Sequence, residues 1–549
     1  MKLTSLSSTL SIGAGLATLA AAGPTKRTSP TVKLDDGTFT GVAAEQVNKW
    51  LGIPFAKPPV GDLRFSLPEL VDPYAGTYTA TTFGPECPQQ SGDSPPVSLL
   101  PAETLEFVAN LTAGATVDED EDCLTVNVIA PQGISTKSKL PVVVWIYGGG
   151  FETGSSASYD GTVIVERSIA INEPVIYVSL NYRLSAWGFI ASQEVKDAGV
   201  TNLGSRDQRM ALRWIQKYIS HFGGDSSKVT IWGESAGALS VGVQMVANNG
   251  NNEGLFRAAF MMSGSPPPVG DVLHGQKYYD ALVNATGCSG SSDTLQCLRE
   301  VPYEELKEAV NQGPNIFAYQ SLDEAYLPRV DGDFLTDNPQ KLVQRGKIAN
   351  VPFITGDCDD EGTLFSLSNS NITTEDELKE YILTYYAPGA TDAEIKALLA
   401  AYPADVTKGS PFDTGALNAI TPQFKRLAAM QGDFAFNAPR RFLLHQRASK
   451  QNAWSYLSKR YKTLPVLGSL HATDILNIYG DEELTEYLVR FVAKLDPNGG
   501  SLKNWPKYST SSPTLMTFLD GLTPTKLTSD TFRTAGFNIL TQLSLKYPL

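Results

Sequence analysis

The sequence predicts an α/β fold, with a mainly parallel central sheet flanked by helices. Two features carry that reading. Short β-branched runs alternate with segments of helical period, and no internal repeat or linker interrupts the alternation. The two clearest strand candidates are also nearly continuous apolar runs, as strands buried on both faces are. Leu140-Pro-Val-Val-Val-Trp-Ile-Tyr147 is the clearest, and Pro174–Leu180 is a second. From Asp207 onward, Met210, Trp214, Tyr218 and Phe222 recur every four residues and mark one helix face. Lys228–Trp232 reads as a strand, Ser235–Ala247 as a helix of small residues, and Ala258–Ser263 and Val351–Thr355 as further strands. In such sheets active sites lie at the carboxyl ends of the strands.

The chain has 549 residues, 42% of them hydrophobic and 19% charged, enough to bury a large core. A net charge of −14 disfavours nucleic acid and anionic membranes as partners, since both need clustered Lys and Arg. Lys2 precedes the uncharged run Leu3–Ala22, which ends in Ala20-Ala21-Ala22. This pattern predicts a secretory signal peptide over residues 1–22, with further trimming possible after Lys26-Arg27. The run is too short and weakly apolar for a membrane anchor, and no other stretch would span a bilayer. The expected mature protein is extracellular, with residues 28–549 forming one domain.

Five cysteines in a secreted chain suggest two disulfides and one free thiol. Cys288 and Cys297 would close a small loop and Cys87 and Cys123 a larger one, leaving Cys358 unpaired. Spacing alone does not fix this pairing. Sequons at Asn110, Asn284 and Asn371 are candidate glycan sites.

Gly233-Glu-Ser-Ala-Gly237 matches G-x-S-x-G, a pattern that chance supplies about 0.3 times in such a chain. Its setting raises its weight. The motif lies between a strand ending at Trp232 and a helix starting near Ala236, where a nucleophile elbow belongs. Glycines at both ends let backbones pack closely while the Ser235 hydroxyl projects above the sheet. The helix N-terminus turns amides and a positive dipole end toward developing negative charge.

These residues carry a resemblance. Phe222-Gly-Gly-Asp-Ser-Ser-Lys-Val-Thr-Ile-Trp-Gly-Glu-Ser-Ala-Gly237 resembles the serine signature of type-B carboxylesterases and lipases. Glu121-Asp-Cys-Leu-Thr-Val-Asn-Val128 resembles their second signature. Shorter matches follow the family's order: Leu51–Ala56, Gly148–Phe151, Asn181-Tyr-Arg183, Asp360-Glu-Gly362 and Gly409–Gly415. The similarity runs from about Val32 to the C-terminal region and is strongest to the fungal branch of Candida rugosa lipase-like lipases and sterol esterases. It implies an α/β-hydrolase fold in one large catalytic domain.

A serine hydroxyl needs a general base. In α/β-hydrolases the chain order is serine, acid, histidine. Of four histidines, His221 precedes the serine, His274 leaves little room for an acid strand, and His445 sits in a helical stretch. His471 follows the loop Val466–Leu470, and the family's histidine loop falls here too. Asp357, Asp359, Asp360 and Glu361 cluster after a strand, and pattern alone does not choose among them. The resemblance implies Glu361, immediately before a glycine. Asp474 lies too near His471 in the chain and reads as a loop-shaping residue.

By the same resemblance the oxyanion donors are the amides of Gly149, Gly150 and Ala236. No metal-ligand cluster or phosphate loop is evident, and no cofactor is expected.

Between Cys87 and Cys123, Leu105, Val108 and Leu111 recur every three residues, with Leu99, Leu100 and Phe107 nearby. This predicts a short amphipathic helix. A core-facing surface helix is the plain reading, but in the resembled family this disulfide loop, about 88–122, is a lid. Exposing each of these side chains costs up to roughly 1.5–3 kcal/mol in water, a cost that a lipid surface relieves. Leu364 and Phe365 are candidates for an acyl pocket or for plain core.

The expected activity is hydrolysis of long-chain acylglycerols or sterol esters at a lipid–water interface. The alternatives are a general esterase for small soluble esters and, from another class, a non-catalytic adhesion relative. The presence of serine, acid and histidine together counts against the last.

Overall fold

A computed structural model describes residues 29–91, 96–112 and 117–549. The expected signal peptide at 1–22 and the trimming site after Arg27 lie outside these residues. The main sheet has 11 strands. In chain order they are β1 (Val42–Ala44), β2 (Val47–Pro54), β3 (Thr125–Pro131), β4 (Leu140–Ile146), β5 (Ile176–Leu180), β6 (Gly224–Glu234), β7 (Ala258–Met262), β8 (Phe353–Cys358), β9 (Ala453–Ser458), β10 (Thr514–Phe518) and β11 (Thr525–Ser529). Their spatial order is β11-β10-β9-β8-β7-β6-β4-β5-β3-β2-β1. From β5 through β10 neighbours run parallel, and antiparallel pairs close both edges. A three-stranded sheet of Thr31–Leu34, Asp36–Thr40 and Ala75–Thr79 packs alongside.

The chain leaves β4 for β5 on one side, then returns to β6 on the other. That reversal opens a crevice at the carboxyl ends of β4 and β6, where ligands bind in open α/β sheets. Every residue of Val142–Ile146 is fully buried, as the unbroken apolar run requires. Among the helices are α1 (Ala102–Thr112), α2 (Leu203–Tyr218), α3 (Ala236–Gly250), α4 (Thr473–Tyr479) and α5 (Thr534–Lys546).

Several boundaries differ from the sequence reading, and at two of them the reason is local. The strand expected at Val351–Thr355 runs instead as β8, Phe353–Cys358. Pro352 has no N–H for the ladder, and Gly356-Asp357-Cys358, which resembles a turn, is held extended by pairing with Tyr456, Leu457 and Ser458. The helix expected from Ser235 begins at Ala236, because Ser235 itself has φ 56° and ψ −128°.

The structure joins Cys87 to Cys123 and Cys288 to Cys297 and leaves Cys358 free and buried. Asn110, Asn284 and Asn371 are all exposed. No helix among the described residues is long and apolar enough to cross a membrane.

Candidate active site

Ser235 follows the last residue of β6 and precedes α3. Its left-handed φ is one that non-glycine residues rarely hold without surrounding constraint. Two hydrogen bonds supply that constraint. The Ser235 amide donates to the Met262 carbonyl (2.9 Å), and its own carbonyl accepts from Leu239 N–H (2.8 Å). The motif glycines are steric necessities. A Cβ on Gly233 would lie 2.5 Å from the backbone of Gly237, and one on Gly237 would lie 2.0 Å from the Ile146 carbonyl oxygen of β4. The elbow is therefore pressed against the end of the neighbouring strand.

At the end of β8 the four carboxylates have different partners. Asp357 accepts from Arg440 Nε (2.6 Å) in the core. Asp359 pairs with Lys462. Asp360 gathers loops, accepting from the Ser410 hydroxyl, the Phe412 and Ser469 amides and Lys462. Glu361 Oε2 lies 2.5 Å from His471 Nδ1. Its Oε1 accepts from the Ser263 hydroxyl (2.7 Å) and the Cys358 amide (2.5 Å). A bridge between Asp360 and Leu470 sets His471 opposite Glu361. This also accounts for two short family matches. Gly409–Gly415 hooks onto Asp360, and Gly362 lets its segment pass the Ala428 carbonyl, which a Cβ would approach to 2.0 Å.

Burial drives the His471 imidazole down, to about 4, so it is neutral at rest. Burial pushes the Glu361 carboxyl up, while the Ser263 and Cys358 donors favour its charged form. With Nδ1 turned to Glu361, His471 Nε2 has no hydrogen-bond partner. Ser235 and His471 both line one cavity of about 910 Å³. His221, His274 and His445 are exposed.

After β4, Gly149 and Gly150 take φ values of 105° and 63°. Gly148 packs so closely that a Cβ there would lie 2.8 Å from Ser235 Cβ. The amides of Gly149, Gly150 and Ala236 find no carbonyl partner among the described residues, and Gly149, Gly150 and Ser235 border the same cavity.

The second signature anchors the loop ahead of β3. Glu121 takes a two-pronged contact from Arg64 (2.7 Å each) and the Trp187 indole N–H (2.9 Å), while Cys123 carries the disulfide. Within that loop, α1 rests on Leu100, Phe424, Val466, Leu467 and Leu470, the approach to His471. The Thr104 hydroxyl donates to the Pro465 carbonyl (3.1 Å). Val108 and Leu111 border the cavity, whereas Leu99 is exposed. Phe365 is buried, lies 5.2 Å from the His471 ring and lines the cavity too.

Sequence reasoning passed over several residues. Ser263, which holds Glu361, carried no signal beyond its place at a strand end. Glu234 is buried with Oε1 3.4 Å from His471 Nε2, and burial pushes its carboxyl well up. It lay unremarked inside the serine motif. Phe436, 4.6 Å from the imidazole, had none either. Asp474 accepts from Tyr456 (2.5 Å) rather than from His471.

The fold defines an α/β-hydrolase. The carboxylesterase family model matches residues 28–532. The chain is 44% identical over 535 residues to lipase 4 of Diutina rugosa, spanning 93% of this chain and 96% of that one. It is 40% identical over 530 residues to a secreted triacylglycerol lipase of Gibberella zeae, spanning 93% and 90%. The crystal structure of Aspergillus niger EstA superposes with a TM-score of 0.80 at 27% identity, over 95% of this chain and 99% of that one. The chain belongs to the carboxylesterase family and is a carboxylic ester hydrolase.

Proposed function

We propose that this protein is an extracellular lipase that cleaves acylglycerols, triacylglycerols foremost, through an acyl-enzyme on Ser235. The observation that carries this reading is the meeting of a constrained Ser235 and a Glu361-oriented His471 on one cavity. Ser235 Oγ attacks the ester carbonyl carbon, and its proton passes to His471 Nε2. Glu361 holds the imidazole by Nδ1 and stabilises the cation that forms. The amides of Gly149, Gly150 and Ala236 receive the developing oxyanion. His471 then protonates the departing alcohol, and water, deprotonated by the same nitrogen, releases the acid and restores Ser235.

Secretion is supported by the N-terminal pattern and by the relatives named as secreted lipases. The apolar face of α1 beside the cavity supports a lid over residues 88–122 in a single catalytic domain of 28–549. A covalent organophosphate should label Ser235, and a label on any other residue contradicts the assignment. Activity on emulsified triglyceride, measured across its solubility limit beside a soluble short nitrophenyl ester, tests the substrate class. A profile without a rise at the limit argues for a soluble-ester enzyme.

A further inference from the structure

Two buried carboxyls beneath the oxyanion loop have no part in the chemistry above. Glu152 Oε2 accepts the Ile316 amide (2.9 Å), and its Oε1 has no partner. Glu324 Oε2 also has no partner. Its Oε1 lies 3.5 Å from where a Cβ on Gly150 would stand, which places it beside the oxyanion loop. Arg329 is buried nearby, but its Nη2 donates to the Glu324 backbone carbonyl (3.3 Å), so no guanidinium pairs with this carboxyl.

Glu324 borders a small cavity of about 50 Å³ that also touches Ser235, Ala236, Leu239, Phe365 and Leu549. Apart from Ser235 and Glu324, the side chains of the wall are apolar. An unpaired polar group in such a wall costs free energy until a partner reaches it. Burial, with Glu152 and Asp323 nearby, pushes the Glu324 carboxyl well up, toward its uncharged form. A protonated carboxyl does not repel the nearby oxyanion, and it both donates and accepts hydrogen bonds.

We infer that Glu324 gives this pocket a preference, among the acyl esters the enzyme cleaves, for those whose acyl group carries a hydroxyl on its first carbons, which it hydrogen-bonds. The inference rests on Ser235 being the acylated residue and on the acyl group entering the cavity that Ser235 and Glu324 share. A site built to bond a hydroxyl discriminates strongly against the analogue without one, because its buried group is then left unpaired.

The test measures kcat/KM for methyl butyrate, methyl 2-hydroxybutyrate and methyl 3-hydroxybutyrate with the full-length enzyme and with Glu324→Leu and Glu324→Gln. The readout is the ratio of the better hydroxy ester to the plain ester, in which the hydroxyl's effect on intrinsic reactivity cancels between variants. The ratio should fall about tenfold or more in Glu324→Leu and be largely kept in Glu324→Gln, which still donates and accepts. If Glu324→Leu does not fold, Glu324→Ala gives the same readout. A ratio within about twofold of the parent overturns the inference. So does a parallel loss on all three esters, which would assign Glu324 to holding the oxyanion loop. Organophosphate labelling of Ser235 separates the outcomes. Intact labelling with an unchanged ratio removes this inference alone, whereas lost labelling removes the proposed function.

Discussion

The serine elbow and α1, the helix of the proposed lid, border one cavity, yet they are built in opposite ways. The elbow is over-determined. Ser235 is held by two backbone bonds, and its flanking glycines meet backbone at 2.5 and 2.0 Å. The proposed lid is held more loosely at its centre. Its helix has 11 residues and half-buries its apolar side chains, with the Thr104 hydroxyl bonded to Pro465, while firmer ties, the disulfide and the Glu121–Arg64 contact among them, lie at the ends of the loop. Chemistry needs atoms held in place, and access needs a segment of low local stability. One cavity receives both requirements from different parts of the chain.

The largest test strikes the elbow. Ser235→Gly should lower kcat by about 10⁴-fold or more while raising stability by about 1 kcal/mol, since glycine accepts this backbone geometry without strain. A thermal melt beside the rate assay checks both, and an unchanged or lower melting temperature would mean that the elbow stores no strain. Glu361→Gln should cost roughly 10³–10⁴-fold in kcat, through loss of the orienting carboxylate. Wild-type KM with a much smaller rate loss would point to Glu234 as a substitute acid.

The acid side of the pH profile follows from burial of His471. Its pKa is lowered to about 4, and the neutral form is the base. Activity should therefore persist below the ordinary histidine range and fall tenfold per unit once pH drops through about 4. The same shift weakens folding as pH falls from about 6.5 to about 4, because over that window the unfolded chain binds a proton that the folded one refuses. A kcat/KM profile with its acid limb at 6.5 would contradict the burial argument.

Smaller effects belong to the proposed lid. Replacing Cys87 and Cys123 together by Ser should reduce activity on emulsified triglyceride about tenfold more than on a soluble short ester. Equal losses on both would mean that the loop does not govern access. Thr104→Val removes one hydrogen bond, worth about 1 kcal/mol, to the loop before His471. It should shift the emulsion profile modestly and leave organophosphate labelling of Ser235 as it was.

Much of the elbow was legible in one dimension, because a strand, a tight turn and a helix are contiguous and the glycines announce the close approach. His471 was reachable by elimination among four histidines. The acid was not. Asp357, Asp359, Asp360 and Glu361 are equivalent as letters, and their partners, Arg440, Lys462, the 410–412 loop and His471, come from distant parts of the chain. Glu324 was invisible for the same reason, since nothing local marks a carboxyl that will be buried without a partner.

The sequence by itself determined the alternation of strands and helices, the serine elbow and the amphipathic period of α1, because each depends on neighbours within a few residues. Only the tertiary structure decided which carboxylate meets His471, how deeply that imidazole is buried and which polar groups border the cavities beside Ser235. Those outcomes depend on desolvation and hydrogen bonding among residues about 50 to 110 positions apart, which no local pattern encodes.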